Sequence, residues 1–269
     1  MSFSKLEVMP GVWQIQDAMG VCMTLLAGSE EALLVDTGYG LEDVGAYVRS
    51  LTDKPLRVIL THGHHDHALG ARWFRQVELL AEDFPVYETY TGRAWRENVL
   101  NQAEQKGILT DRAEYVLAAM PRPAALKDSV IPLGGLTVHL IPCPGHTPGS
   151  LVLYAEEIRL LLTGDNWNPC TWLFFPEALG AKAYRKNVRE LLKIPFAYAL
   201  CSHQFQRFDR SMPESFWLGL EDAALDGAIP VPAGERVGVK TVQADLPRGQ
   251  IFVFDPDKYF MQKERSGQA

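Results

Sequence analysis

A chain of 269 residues, 47% of them hydrophobic, is long enough to bury a large core, and it is expected to form a single domain over residues 1–269. The net charge of -7 excludes a globally basic surface for nucleic acid, and no apolar run reaches the length of a membrane span. Residues 1–7 carry no apolar export segment, and Cys22, Cys143, Cys170 and Cys201 form no Cys-x-x-Cys pair, so the expectation is a cytoplasmic protein with buried free thiols.

Residues 12–16 alternate apolar and polar positions as a strand does. Residues 22–27 and 32–36 read as two further strands joined by the turn Gly28-Ser29-Glu30-Glu31. The second of them ends in Asp36-Thr37-Gly38. Over residues 41–52, Leu41, Val44, Tyr47, Val48 and Leu51 share one face of an amphipathic helix. Residues 56–60 form a short apolar run that reads as a buried strand, and residues 68–74 open a helix. Between the two lies Thr61-His62-Gly63-His64-His65-Asp66-His67, four imidazoles and a carboxylate on a strand-to-helix turn. Imidazole and carboxylate are ligands that zinc and similar divalent metals take. The strand–helix–strand–helix order argues a sheet with helices on its outer face.

From residue 84 to residue 126 the β pattern is interrupted. The segment is bounded by Pro85 and by Pro121 and Pro123, with helical stretches over 93–106 and 111–120. It reads as a helical insertion, either a lid beside an active site or a layer that only covers the sheet.

Strands return over 129–133, 136–141, 151–154 and 158–163, and later over 197–202, 237–244 and 250–254. Helices are expected over 183–192 and 213–228. His146 lies in Pro144-Gly145-His146-Thr147-Pro148-Gly149-Ser150, where Gly and Pro on both sides fix a tight turn. Asp165 follows an apolar strand, where a carboxylate is costly to bury unless it is paired or bound to metal. His203 also follows an apolar strand directly. His139 falls in an alternating strand and reads as a packed or surface residue.

His62, His64, Asp66 and His67 match the His-x-His-x-Asp-His motif of the metallo-β-lactamase-fold hydrolases, and the chain resembles that superfamily from about residue 12 to His203. The stretch around His146 resembles the family's Gly-His-Thr-x-Gly motif. The resemblance implies an α+β fold, a four-layer αββα sandwich with the 84–126 segment as an insertion. It also implies two divalent ions, zinc first, with iron or manganese as alternatives. His62, His64 and His146 would hold one ion, Asp66, His67 and His203 the other, and Asp165 would bridge them. His65 stands at the motif's variable position and receives no ligand role. Asp36 is expected to orient a ligating imidazole from behind. Two such ions about 3.5–4 Å apart can share a water and lower its pKa, giving a bridging hydroxide at neutral pH. Asp66 is the candidate proton carrier of that chemistry.

The substrate is expected to be a small molecule: an ester, thioester or lactone. The loop from Asn166 to Pro176 is rich in aromatics and follows a ligand directly, so Trp167 and Trp172 are candidate pocket residues. Tyr184 joins them by analogy with related lactonases. The metal motifs resemble those of glyoxalase II, but the C-terminal part has no convincing set of basic residues for glutathione. A phosphodiesterase on the same metals is one alternative. A mononuclear-iron oxidoreductase resembling persulfide dioxygenases is another, although every second-site ligand is present. A secreted antibiotic-degrading lactamase fits poorly with the missing export segment.

Overall fold

In a computed structural model, which describes residues 2–258, the apolar strands assemble into two large mixed sheets. The first has seven strands in sequential order, from Ser4–Met9 at one edge, through Ala32–Val35 and Leu56–Ile59, to Ala124–Ala125 at the other. The second has six, with Leu160–Leu162 between Leu151–Ala155 and Tyr198–Leu200.

Alternation along the strands divides the core into layers. Leu33, Val35 and Ile59 of the first sheet pack on Leu140, Leu153, Leu162 and Leu200 of the second, which forms the seam between the sheets. Residues one position along, such as Leu34 and Val58, point the other way, onto Val44 and Val48 of the helix Val44–Arg49. The outer face of the second sheet is covered by Tyr184 and Val188 of the helix Ala181–Glu190 and by Phe216 and Trp217 of the helix Ser211–Gly219. The result is the expected four-layer αββα sandwich of the metallo-β-lactamase fold.

Some elements differ from the sequence expectation. A third sheet of four strands, Cys170–Leu173, Gln250–Phe254, Thr241–Leu246 and Ile229–Val231, flanks the second sheet. Its first strand falls in the stretch expected to be a loop, because it pairs in parallel with Gln250–Phe254, which leaves Thr171 and Leu173 buried and their neighbours exposed. The helix expected over 213–228 is two helices, Ser211–Gly219 and Asp222–Asp226, broken at Leu220. The turn after His67 continues as the 3-10 helix Leu69–Trp73.

The strand ends place the site. Ala32–Val35 runs parallel to Leu56–Ile59, with Val35 opposite Ile59, so Asp36 and Thr61 emerge at the same end. Leu160–Leu162 runs parallel to Tyr198–Leu200, with Leu162 opposite Leu200, so Asp165 and His203 emerge together. Leu151 N–H donates to Thr61 C=O at 2.9 Å, which ties this end of one sheet to the other. Among the described residues, no helix is long and apolar enough to cross a membrane.

Candidate metal centre

The structure brings all seven sequence-derived ligand candidates to one place. Ligand atoms of His62, His64 and His146 lie within 4.8 Å of one another, as do those of Asp66, His67, Asp165 and His203. Asp165 reaches both groups: Oδ2 is 3.0 Å from His203 Nε2 and 3.6 Å from His146 Nε2, while Oδ1 is 3.5 Å from His67 Nε2. Asp66 Oδ2 is 3.6 Å from Nε2 of both His67 and His203.

Each of four imidazoles is anchored through one nitrogen and turns the other inward. His67 Nδ1–H donates to Asp36 Oδ2 at 2.9 Å. Thr61 donates its backbone N–H to Asp36 at 2.7 Å and its hydroxyl at 2.9–3.0 Å, and the same hydroxyl accepts from His62 Nδ1–H at 3.0 Å. Asp36 therefore orients His67 directly and His62 through Thr61, as expected of an outer carboxylate. Asp36 holds φ at +64°, a conformation that costs a non-glycine residue energy and is common at functional sites. His146 Nδ1–H donates to Trp172 C=O at 2.8 Å. His64 is anchored the other way round, its Nε2–H donating to Glu177 Oε1 at 2.5 Å.

These tautomers, fixed by their outer partners, leave two bare lone pairs face to face. His146 Nε2 is 2.9 Å from His64 Nδ1, and with each neutral ring's N–H given to its outer partner no proton lies between them. His62 Nε2 is buried with no hydrogen-bond partner, while His67 Nε2 and Asp165 Oδ1 face each other at 3.5 Å. Unpaired buried acceptors that converge are costly unless a cation satisfies them. The residues present thus fit divalent metal by the chemistry of their donor atoms.

Burial, with neighbouring imidazoles adding to it, holds His62 far below the usual histidine range. Burial likewise takes His64 down to about 4, although Glu177 works against it. His67 is also buried, yet Asp66, Asp165 and Asp36 outweigh burial and push it well up. His203 is raised despite burial, chiefly by Asp165. Burial opposes charge on Asp66, but His67, His65 and His203 hold its carboxyl at about 2. Asp165 is held well below the carboxylate range in the same way, by His203 and His67.

The cluster floors a cleft of about 750 Å³. The helix Arg93–Gln105 forms one wall, and Trp95, Asn98 and Gln102, spaced i, i+3, i+7, face the opening. Val99, Leu100 and Ala103 on its other face are buried against Leu69 and Tyr115. The insertion therefore both packs on the core and lines the site. Pro232–Val237, a 3-10 turn, also contributes to the lining.

Of the three candidate pocket residues, only Trp172 lines the cleft. Trp167 is fully buried, edge-on to Phe208, with its Nε1–H donating to Gln250 at 3.0 Å. Tyr184 is also fully buried; its hydroxyl donates to Asn166 C=O at 2.6 Å and its ring stacks on Phe252. Both were drawn into the apolar cover of the second sheet. Tyr184 backs the His146 loop from behind, since a Cβ at Gly145 would lie 2.6 Å from its ring. Cys170 is exposed at the cleft and departs from the expectation of buried thiols, while Cys22, Cys143 and Cys201 are buried and free. His139 is a surface residue paired with Glu156.

Sequence reasoning missed Glu177, Asp83 and Tyr90. Fully buried Asp83 accepts from Gly63 N–H at 2.7 Å, Gly149 N–H at 2.7 Å and the Thr147 hydroxyl at 2.9 Å, clamping the two histidine loops together. Tyr90 packs on His64 and hydrogen-bonds Glu177. Gly63 lets this part of the insertion close in, because a Cβ there would meet Tyr87 N at 2.4 Å. None of the three lies at a spacing that marks it in the sequence.

Comparison with known proteins agrees with this geometry. A profile described as "Metallo-beta-lactamase superfamily" matches residues 18–203. The chain is 28% identical over 158 residues to the acyl-coenzyme A thioesterase MBLAC2 of Gallus gallus, covering 52% of this chain and 55% of that one. It is 27% identical over 146 residues to the probable metallo-hydrolase YqgX of Bacillus subtilis (strain 168), covering 52% and 63%. These matches span little more than half of each relative's own length. The metallo-beta-lactamase family protein TTHA1429 of Thermus thermophilus shares the fold, with a TM-score of 0.57 at 21% identity over 82% of this chain and 84% of that one. The sec-alkylsulfatase Pisa1 of Pseudomonas sp. shares it too, with a TM-score of 0.62 at 18% identity, covering 83% of this chain and 43% of that one.

Proposed function

The chain belongs to the metallo-beta-lactamase superfamily, and on that premise we propose that it is a metal-dependent hydrolase with a dinuclear centre that cleaves a small ester, thioester or lactone. The observation that carries this reading is the convergence of seven imidazole and carboxylate ligands in two adjoining groups, with His64 Nδ1 and His146 Nε2 at 2.9 Å and His62 Nε2 unpartnered beside them.

In this reading His62, His64 and His146 hold one ion, Asp66, His67 and His203 hold the second, and Asp165 reaches both. Zinc suits this set of imidazoles and carboxylates, and iron or manganese also accept it. When bound, such a pair supplies an activated water at neutral pH and polarises the carbonyl under attack. The chain's own residues do the rest. Asp36 and Thr61 fix the tautomers of His67 and His62, and Glu177 fixes that of His64. Asp66, held ionised at the cleft floor, is placed to accept the proton released as water adds and to pass it to the leaving oxygen or sulfur.

The test is metal content on protein purified without added metal, followed by turnover of ester, thioester, lactone and phosphodiester panels. Two equivalents of a divalent ion with carbonyl hydrolysis support the reading. One equivalent of iron with oxygen consumption on a persulfide would replace it with the oxidoreductase. Turnover confined to phosphodiesters would replace it with the phosphodiesterase.

A further inference from the structure

We infer that the cleft recognises its substrate through an uncharged, apolar acyl group laid along an aromatic track, and not through the alcohol or thiol carrier that bears that group. The inference rests on the hydrolase reading and names its substrate class.

The track runs from the surface toward the cluster through Trp172 and Phe175, with Phe174 buried beneath and joining them. Trp172 is 43% exposed, an unusual amount of indole to leave in water. It sits in the strand Cys170–Leu173, where Thr171 and Leu173 are buried and the alternate positions face the cleft. Trp172 packs on Phe174 at 5.2 Å, and Phe174 stacks on Phe175 at 4.9 Å. Phe175 lies 4.7 Å from the His64 ring and 5.7 Å from the His146 ring. An apolar chain lying on this track has its carbonyl end delivered to the imidazoles.

Across the cleft, Trp95 is held in place by packing on His65 at 4.8 Å and on Tyr90 at 4.7 Å. A preorganised indole of this kind binds flat or aliphatic groups at little entropic cost. Among the described residues, the cleft is also lined by the amides Asn98, Gln102, Asn168 and Gln204 and by the carboxylate of Glu235 at the rim. Amides suit a neutral ester or amide-bearing carrier, and a rim carboxylate opposes a polyphosphate one.

The reaction is balanced by water alone. Water adds to the acyl carbon, the C–O or C–S bond breaks, and the products are a carboxylate, a proton and a free alcohol or thiol.

The experiment uses thioesters of N-acetylcysteamine with acetyl, hexanoyl and decanoyl groups, together with decanoyl-coenzyme A, on the metal-loaded protein. The expected result is a kcat/KM at least about 100-fold higher for decanoyl than for acetyl, because each buried methylene adds discrimination. Decanoyl-coenzyme A should be no more than about 10-fold better than the N-acetylcysteamine ester. Trp172→Ala, at an exposed position, should keep the full metal content and lower the decanoyl-to-acetyl ratio at least about 5-fold. Decanoate binding, followed by tryptophan fluorescence without added metal, should weaken in Trp172→Ala and in Trp95→Leu. A flat acyl series, a coenzyme A ester favoured beyond that limit, or unchanged decanoate binding in both variants overturns the inference while leaving a hydrolase. No turnover of any ester, thioester or lactone by metal-loaded protein defeats the hydrolase reading itself.

Discussion

His64 and Glu177 are joined by a 2.5 Å hydrogen bond from Nε2–H to Oε1, with the imidazole 3% exposed. They are far apart in the sequence, and Tyr90 holds the carboxylate from the insertion side. The bond sends the other nitrogen of His64 toward His146. Loss of such an outer partner costs about 10–100-fold in metal affinity. Glu177→Ala should therefore weaken the ion held by His62, His64 and His146 by that factor and leave the second ion unchanged. Glu177→Gln keeps an acceptor and should recover part of the loss. Competition against a chromophoric chelator reads both, and equal affinities in wild type and Glu177→Ala would refute the positioning role.

Asp83 binds the backbone of Gly63 and of Gly149, so it couples the loop of His62 and His64 to the loop of His146. Removing it leaves two buried N–H donors without acceptors, at about 1–3 kcal/mol each. Asp83→Ala should lower unfolding stability by about 3 kcal/mol, measured by denaturant titration of metal-free protein. Asp83→Asn retains one oxygen and should lose less. A loss below about 0.5 kcal/mol in the alanine variant would mean the loops hold each other without the clamp.

The strand ends explain why the cluster was legible in the sequence and its supports were not. His62, His146, Asp165 and His203 each follow an apolar strand, and parallel pairing brings strand ends together, so local pattern and topology coincide. The sandwich follows from the same alternation. Glu177 and Asp83 act through contacts between distant segments, which no periodicity encodes. Trp167 and Tyr184 show the converse: an aromatic near a ligand in sequence is claimed by whichever apolar surface it reaches first, here the cover of the second sheet. Cys170–Leu173 is a strand only because Gln250–Phe254 pairs with it from the far end of the chain.

Asp17 provides a pH-dependent term away from the metal cluster. One oxygen accepts from the N–H groups of Met19, Gly20 and Val21, and the other from Tyr39. Burial nevertheless pushes its carboxyl up to about 6 from 3.8. The folded protein then keeps a proton that the unfolded chain has lost, so stability falls as pH rises from about 4 to about 6. At 1.36 kcal/mol per unit the loss is bounded at about 3 kcal/mol, less whatever solvent at the loop edge screens. Asp17→Asn cannot titrate. Unfolding free energies at pH 4 and pH 7 should show the wild type losing ground to the variant by on the order of 2 kcal/mol. A pH-independent difference would refute the assignment.

Asp165 reaches both groups of ligands, and its two oxygens face three imidazoles. An asparagine would keep the size and one oxygen but remove the charge that, on the proposed dinuclear reading, draws two cations to one place. Asp165→Asn should bind one ion with near wild-type affinity, through His62, His64 and His146, and lose the second by more than about 100-fold, since a direct ligand counts for more than an outer partner. Turnover should fall with the second ion. Metal stoichiometry by equilibrium dialysis, read beside kcat on the best substrate, separates the two effects. A variant that holds both ions and turns over at the wild-type rate would show that Asp165 is not the bridge. A variant that holds both ions but is inactive would assign its charge to the reaction and not to metal capture.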